Sequence, residues 1–168
     1  MYQEYNPILE GKQMPEKQLV TEIAKSQLGY KEGKNNNTLY GKWYGMNNQP
    51  WCAMFVSWCF HQAGEVKKIA ASTPKGFAGC AAGLGWFAKK NKLVPIGQAQ
   101  AGDIVFFQFD EDKEPDHVGI VISNNSKMKQ LICIEGNTSD GTKGSQANGD
   151  GVYKKKRSYS LVMAVARP

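Results

Sequence analysis

Apolar positions follow two different periods along this chain. Leu19, Val20, Ile23, Ala24 and Leu28 recur at helical spacing, behind Pro15 and Glu16 and ahead of Gly29, which predicts a helix over 15–28. Residues 30–50, "YKEGKNNNTLYGKWYGMNNQP", lack a period and are rich in Asn and Gly. They read as a long surface loop, of the kind that is functional when it occurs inside a compact domain. Residues 51–63 are apolar on nearly every side and are closed by Gly64, which predicts a buried helix. Another helix is expected after "STP" (72–74), with Phe77, Ala81, Leu84 and Ala88 on one side, although three glycines weaken it. From residue 102 the spacing changes to that of strands. "DIVFFQF", "HVGIVIS", "QLICIE", "GVYKKKRSY" and "LVMAVA" are β-rich runs separated by polar turns. Helices first and strands after predict an α+β domain over 15–168, with N-terminal helices packed on an antiparallel sheet and residues 1–14 as a lead-in.

Composition narrows the class. With 168 residues, 41% hydrophobic and 21% charged, the chain is that of one globular domain rather than a disordered protein. No apolar run approaches the ~18 residues that span a bilayer. The opening "MYQEYNPILEGK" has no secretory pattern, so the expectation is a protein made in the cytoplasm without a signal peptide. The net charge of +6 favours anionic partners. That charge is uneven: "KKKR" (154–157) is a basic cluster and "DEDKEPD" (110–116) an acidic one. Each cluster reads first as a solvated loop or strand edge, so charge names no partner.

The four cysteines, Cys52, Cys59, Cys80 and Cys133, form no CxxC pair and no zinc spacing. A cysteine acts as a nucleophile only as thiolate, and an ordinary thiol is about 3% ionised at neutral pH. Cys52 follows Pro50 at the start of the apolar helix, where the helix dipole favours the anion. Cys59 lies two turns further in, among Val56, Trp58 and Phe60, and reads as packing, as does Cys80. Of the two histidines, His61 stands nine residues beyond Cys52 on the same helix, about 13 Å away. His117, at the head of a strand, is therefore the imidazole that can reach Cys52. If "HVGIVIS" and "QLICIE" form a hairpin centred on residue 126, within the polar "NNSKMK", His117 lies directly opposite Glu135. Glu135 is then a candidate to orient the imidazole. Asn137 points to the same face and is a second candidate, as orienting amide or as a polar group lining the site.

These residues carry a family resemblance. "QPWCAMFVSWCFHQAG", "GDIVFF", "DHVGIV", "IEGN" and "SLVMAVARP", in this order and spacing, resemble the cysteine, histidine-dependent amidohydrolase/peptidase (CHAP) domain over roughly 17–168. The segments "IAKSQLGYKEGKNNNTLYGKWYG" and "CAAGLGWFAKKNK" are similar to members from phages and Gram-positive bacteria. The resemblance implies a papain-like fold and cleavage of a peptidoglycan amide bond, by an N-acetylmuramoyl-L-alanine amidase or a stem-peptide or cross-bridge endopeptidase. It places the nucleophile on Cys52, the base on His117, the acidic member on Glu135 and the accompanying polar residue on Asn137. Some members bind calcium through aspartates ahead of the nucleophile. Here that loop offers Asn47, Asn48 and Gln49 but no carboxylate, so no metal is expected there. The acidic run at Asp110, Asp112, Glu114 and Asp116 is the other place for a cation, but it reads as a solvated loop.

The expected partner is bacterial peptidoglycan, with anionic wall polymers drawn by the basic surface and a separate wall-binding domain or subunit in support. No nucleic-acid partner is expected. The resemblance further implies action at the bacterial wall as a phage-released or virion-associated lysin. Trp43, Tyr44, Gln49 and Trp51 are candidates to line a substrate groove, although core packing accounts for the aromatics equally well. The Cys52 backbone N–H is the expected oxyanion donor, with Gln49 or Asn48 as a second. Two other readings remain: a cysteine peptidase or transamidase acting on proteins, and a non-catalytic basic module that binds wall or nucleic acid.

Overall fold

The computed structural model describes residues 14–141 and 144–168. The expected lead-in, apart from Met14, lies outside the described residues. Among the described residues four α-helices precede all six strands of an antiparallel sheet, as the α+β reading requires. The helices are α1 (Glu16–Ser26), α2 (Leu39–Tyr44), α3 (Cys52–Gln62) and α4 (Cys80–Lys89). The strands are β1 (Leu93–Val94), β2 (Ile104–Phe107), β3 (His117–Asn125), β4 (Gln130–Thr138), β5 (Gly151–Ser158) and β6 (Val162–Ala166). They are ordered β1-β6-β2-β3-β4-β5 across the sheet. Among the described residues no helix is long and apolar enough to cross a membrane.

Helix α3 is the axle of the fold. Eight of its residues, from Cys52 to Phe60, are buried, because α1, α2 and the sheet surround it. An all-round apolar helix is stable only in such a position. The main core joins α3 to Val118 and Ile120 of β3, Ile134 of β4 and the Tyr40, Trp51 and Phe77 rings. A second core covers the opposite sheet face with Val105, Phe107, Val121, Leu131, Cys133 and Val165. Alternate residues of β3 and β4 thus feed different layers. Asp103, from the "GDIVFF" segment, is fully buried and held by Arg167 near the C-terminus, at 2.8 and 3.0 Å.

Several expectations are corrected. The loop 30–50 contains α2. Its start is signalled by Thr38, whose side chain accepts from the Gly41 N–H at 2.9 Å, and its end by Gly45 in the left-handed conformation. The helix expected after 72–74 begins only at Cys80. Its buried residues are Gly83 and Phe87, whereas Ala81 and Ala88 are exposed. Leu28 falls beyond α1 and is exposed. In the basic cluster, Lys155 and Arg157 turn inward while Lys154 and Lys156 face water. Alternation along an antiparallel strand therefore halves the outward charge that the run displays in sequence.

The contact between α3 and β4 depends on Gly136. A Cβ there would lie 2.6 Å from the Trp51 ring and 2.7 Å from the Phe55 Cβ. Gly136→Ala is expected to force α3 away from β4 and to lower the unfolding free energy by about 1–3 kcal/mol, read by chemical denaturation.

Candidate active site

The site forms where the first turn of α3 meets the head of β3. Cys52 is the first residue of α3 and is 5% exposed. His117 is the first residue of β3 and is fully buried. Its ring lies against Phe107 and Phe109, with centroids 6.0 and 5.9 Å away. His117 Nε2 is 2.9 Å from Glu135 Oε1. A carboxylate only accepts, so Nε2 carries the proton in this bond. The other ring nitrogen, Nδ1, is buried without a hydrogen-bond partner and is the nitrogen left to the Cys52 thiol.

Glu135 is not directly opposite His117. The observed pairing of Val121 with Cys133 centres the hairpin on residue 127, and an irregularity follows between Val121 and Ser123. Glu135 therefore reaches His117 diagonally. Its chain passes over Gly119, where a Cβ would lie 2.6 Å from Glu135 Cγ. The shift leaves both residues on the same sheet face, so the partnership survives the change of register.

Arg157 of β5, absent from the sequence reading, completes the arrangement. It grips the buried Glu135 with Nη2 2.6 Å from Oε1 and Nε 3.0 Å from Oε2. Its remaining Nη1 donates to Gln146 Oε1 at 3.1 Å. The guanidinium lies over the Phe107 and Phe109 rings, 5.4 and 5.0 Å from their centroids. The sequence carried a hint of it, since Arg157 lies on the β5 run at the parity that turns inward beside Lys155.

Charge then propagates outward. Burial, the largest influence on Glu135, pushes its carboxyl up, but His117 and Arg157 together hold it below the ordinary value. Burial likewise pushes the His117 imidazole down; the Cys52 thiolate and Glu135 outweigh it and raise the value to about 9. The Cys52 thiol is held well below the ordinary cysteine value, first by the hydrogen-bonding Cys80 thiol, then against burial by His117 and the Ala53 backbone N–H. Cys59 and Cys133, buried in the two cores, are pushed the other way. Cys80 Sγ stands 3.8 Å from Cys52 Sγ, so Cys80 borders the site rather than serving only as packing. A thiolate beside a proton-bearing imidazole can attack an acyl carbon and then supply a proton to the departing group.

The other expected site residues have varied surroundings. Trp51 has no exposed surface; it stacks on Tyr40 at 5.3 Å and donates to Glu32 Oε2 at 2.6 Å, so it cannot line a groove. Tyr44 is buried, its hydroxyl accepting from Thr73. Trp43 packs on His61, 4.9 Å between centroids, at the end of α3 far from Cys52. Gln49 is exposed, and Asn48 is tied to the Asn35 carbonyl at 2.8 Å. Asn137 does not hydrogen-bond the imidazole, whose Nε2 is taken by Glu135. Its backbone is left-handed, with φ 56°, its Nδ2 donates to the Ala147 carbonyl at 3.2 Å, and its Oδ1 is buried and unpartnered.

Asp110, Asp112 and Asp116 bring carboxylate oxygens within 4.8 Å of one another. Each already accepts a backbone N–H, from Asp112, Glu114 and Phe109 respectively. Calcium takes roughly six to eight oxygens. The three carboxylates supply part of such a set.

An antiparallel α+β fold with a thiol at a helix start and a carboxylate-oriented imidazole on the sheet defines a papain-like thiol–imidazole domain. The chain belongs to the CHAP domain family, whose sequence model matches residues 43–137, a span that includes Cys52, Cys80, His117, Glu135 and Asn137. That family is one of amidases and peptidases, peptidoglycan hydrolases in general. Comparison with curated proteins found no match.

Two outcomes follow from this geometry. Titration of the His117 ring by NMR is expected to show a midpoint near 9. Cys52→Ala removes influences that raise that value, so the midpoint is expected to move down. Arg157→Ala strands a buried carboxylate and is expected to cost about 3–5 kcal/mol in denaturant unfolding.

Proposed function

We propose that this protein hydrolyses an amide bond of bacterial peptidoglycan with Cys52 as nucleophile, His117 as acid and base, and Glu135 as the group that orients the imidazole. The observation that supports it most is the placement of Cys52 at the start of α3, beside an imidazole whose Nε2 is committed to Glu135 at 2.9 Å.

The thiolate attacks the amide carbonyl carbon, and the carbonyl oxygen takes the charge, with the Cys52 backbone N–H at the helix start as donor. His117 passes its Nδ1 proton to the amine as the C–N bond breaks, leaving an acyl-thioester on Cys52. The neutral imidazole then takes a proton from water, whose oxygen attacks the thioester and frees the thiolate. Glu135 holds the ring in place and stabilises its charged form. Family membership favours peptidoglycan over protein as the substrate. The exposed Lys154 and Lys156, within a net charge of +6, give an anionic wall polymer something to meet. In this reading the protein is a lysin that acts at the wall.

The test is solubilisation of purified peptidoglycan, with mass spectrometry of the fragments to separate amidase from endopeptidase cleavage. Cys52→Ala and His117→Ala are each expected to lose at least about a thousandfold in rate while remaining folded. The wild-type rate is expected to fall as pH rises through about 9, where the imidazolium that protonates the leaving amine is lost. Unchanged lysis by Cys52→Ala, or cleavage of proteins with peptidoglycan left intact, would sink the proposal.

A further inference from the structure

Cys80 has no place in that reaction, yet its sulfur touches the nucleophile's. Both residues are the first of their helices, and neither helix start has a side-chain cap, so two thiols face each other across two helix ends. The sulfurs are 3.8 Å apart. A disulfide bond measures roughly 2.05 Å, so closure needs an approach of about 1.8 Å. Cys80 is also partly exposed, whereas Cys59 and Cys133 have no exposed surface and lie in separate cores.

A low-pKa thiolate is the group most open to oxidation. Its sulfenic acid is reversible, but the sulfinic acid that follows is not, unless a neighbouring thiol intercepts the first product. Resting on the reading of Cys52 as an ionised nucleophile, we propose that Cys52 and Cys80 form a reversible modification site for hydroperoxides, with Cys80 as the resolving cysteine. The Cys52 thiolate attacks the terminal peroxide oxygen. The S–O bond forms, the O–O bond breaks, and the released alkoxide or hydroxide takes the His117 proton. With the Cys52 charge gone, Cys80 gives its proton to the neutral His117 imidazole and its thiolate attacks Cys52 Sγ; the S–S bond forms, the S–O bond breaks, and the hydroxide leaves as water with that proton from His117. Two thiols are oxidised, and one hydroperoxide is reduced to an alcohol or water. The roles divide this way because the adjacent Cys52 thiolate, then burial, keep the Cys80 thiol protonated. The disulfide ties up the nucleophile until a thiol reductant reopens it.

The test treats the full chain with hydrogen peroxide, maps unreduced peptides by mass spectrometry, and measures lysis before and after dithiothreitol. Wild type is expected to yield a peptide joining Cys52 to Cys80, lighter by two hydrogens, with lysis lost and then restored. Cys80→Ser is expected to yield no such peptide, to gain two oxygens on the Cys52 peptide, and to stay inactive after reduction. Cys80→Ala, a second variant in case the first misfolds, is expected to match it. Wild type that goes to the sulfinic acid without the cross-link, or Cys80→Ser that recovers as fully as wild type, would overturn the proposal. The cross-link is read by mass, so it stands or falls separately from whether peptidoglycan is the substrate.

Discussion

The buried pair between Arg157 and Glu135 is the constraint from which the site is built. A guanidinium keeps its proton under all ordinary conditions, so it fixes the sign of everything beyond it. Glu135, with no exposure, is ionised because Arg157 offers two donors within 3.0 Å. The carboxylate in turn keeps a proton on His117, and the imidazolium keeps one off Cys52. Charges alternate along the row, so burial of each is offset by its neighbours. Removing any one leaves the next stranded in an apolar setting. The fold serves this row: β5 pairs Arg157 with Leu131, on the face of Glu135, and its long side chain reaches along the strand to the carboxylate, Gly119 leaves room for the carboxylate's chain, and Phe107 and Phe109 pack against the guanidinium and the imidazole.

The order of helices and strands was legible because each element announces itself locally. Pro15 and Gly29 bracket α1, and the apolar run 51–63 has the length of α3. Cys52 and His117 emerged from elimination, since one thiol opened a helix that the sequence predicts and one imidazole was within reach. The partnership of His117 with Glu135 was legible from parity, because the pairing beside them differs from the expected one by an even number of residues and so keeps both on one face. Its diagonal geometry was not, since the turn lies beyond residue 126 and the irregularity between Val121 and Ser123 changes the register again by one residue, which no turn signal reports. Arg157 and Cys80 were hidden for a different reason. Each belongs to the site through a contact between elements distant in sequence, and the chain shows only a basic run and a scattered cysteine. Short α2 went unseen behind its asparagines, although Thr38 and Gly45 mark its ends.

The aromatic residues around Cys52 show why proximity in sequence misleads about substrate contact. Trp51 precedes Cys52, the proposed nucleophile, yet its ring turns inward, between Tyr40 and the glycine gap at 136. A nucleophile at a helix start must be held to within a fraction of an ångström of its base. The preceding residue is the one that can anchor the turn. Trp51 meets that need through a large buried area and one hydrogen bond, to Glu32.

At its outer end the row of charges meets a group that carries none. Cys80 remains a neutral thiol beside the Cys52 thiolate, able to donate to it but unable to neutralise it as a cation would. A lysine in that place would pair with the thiolate and compete with the imidazole for its charge. A serine would donate more strongly but could not form a bond to sulfur. A thiol alone combines weak donation with covalent reach, so the nucleophile's stability as an anion and its exposure to oxidation are set by the same neighbour.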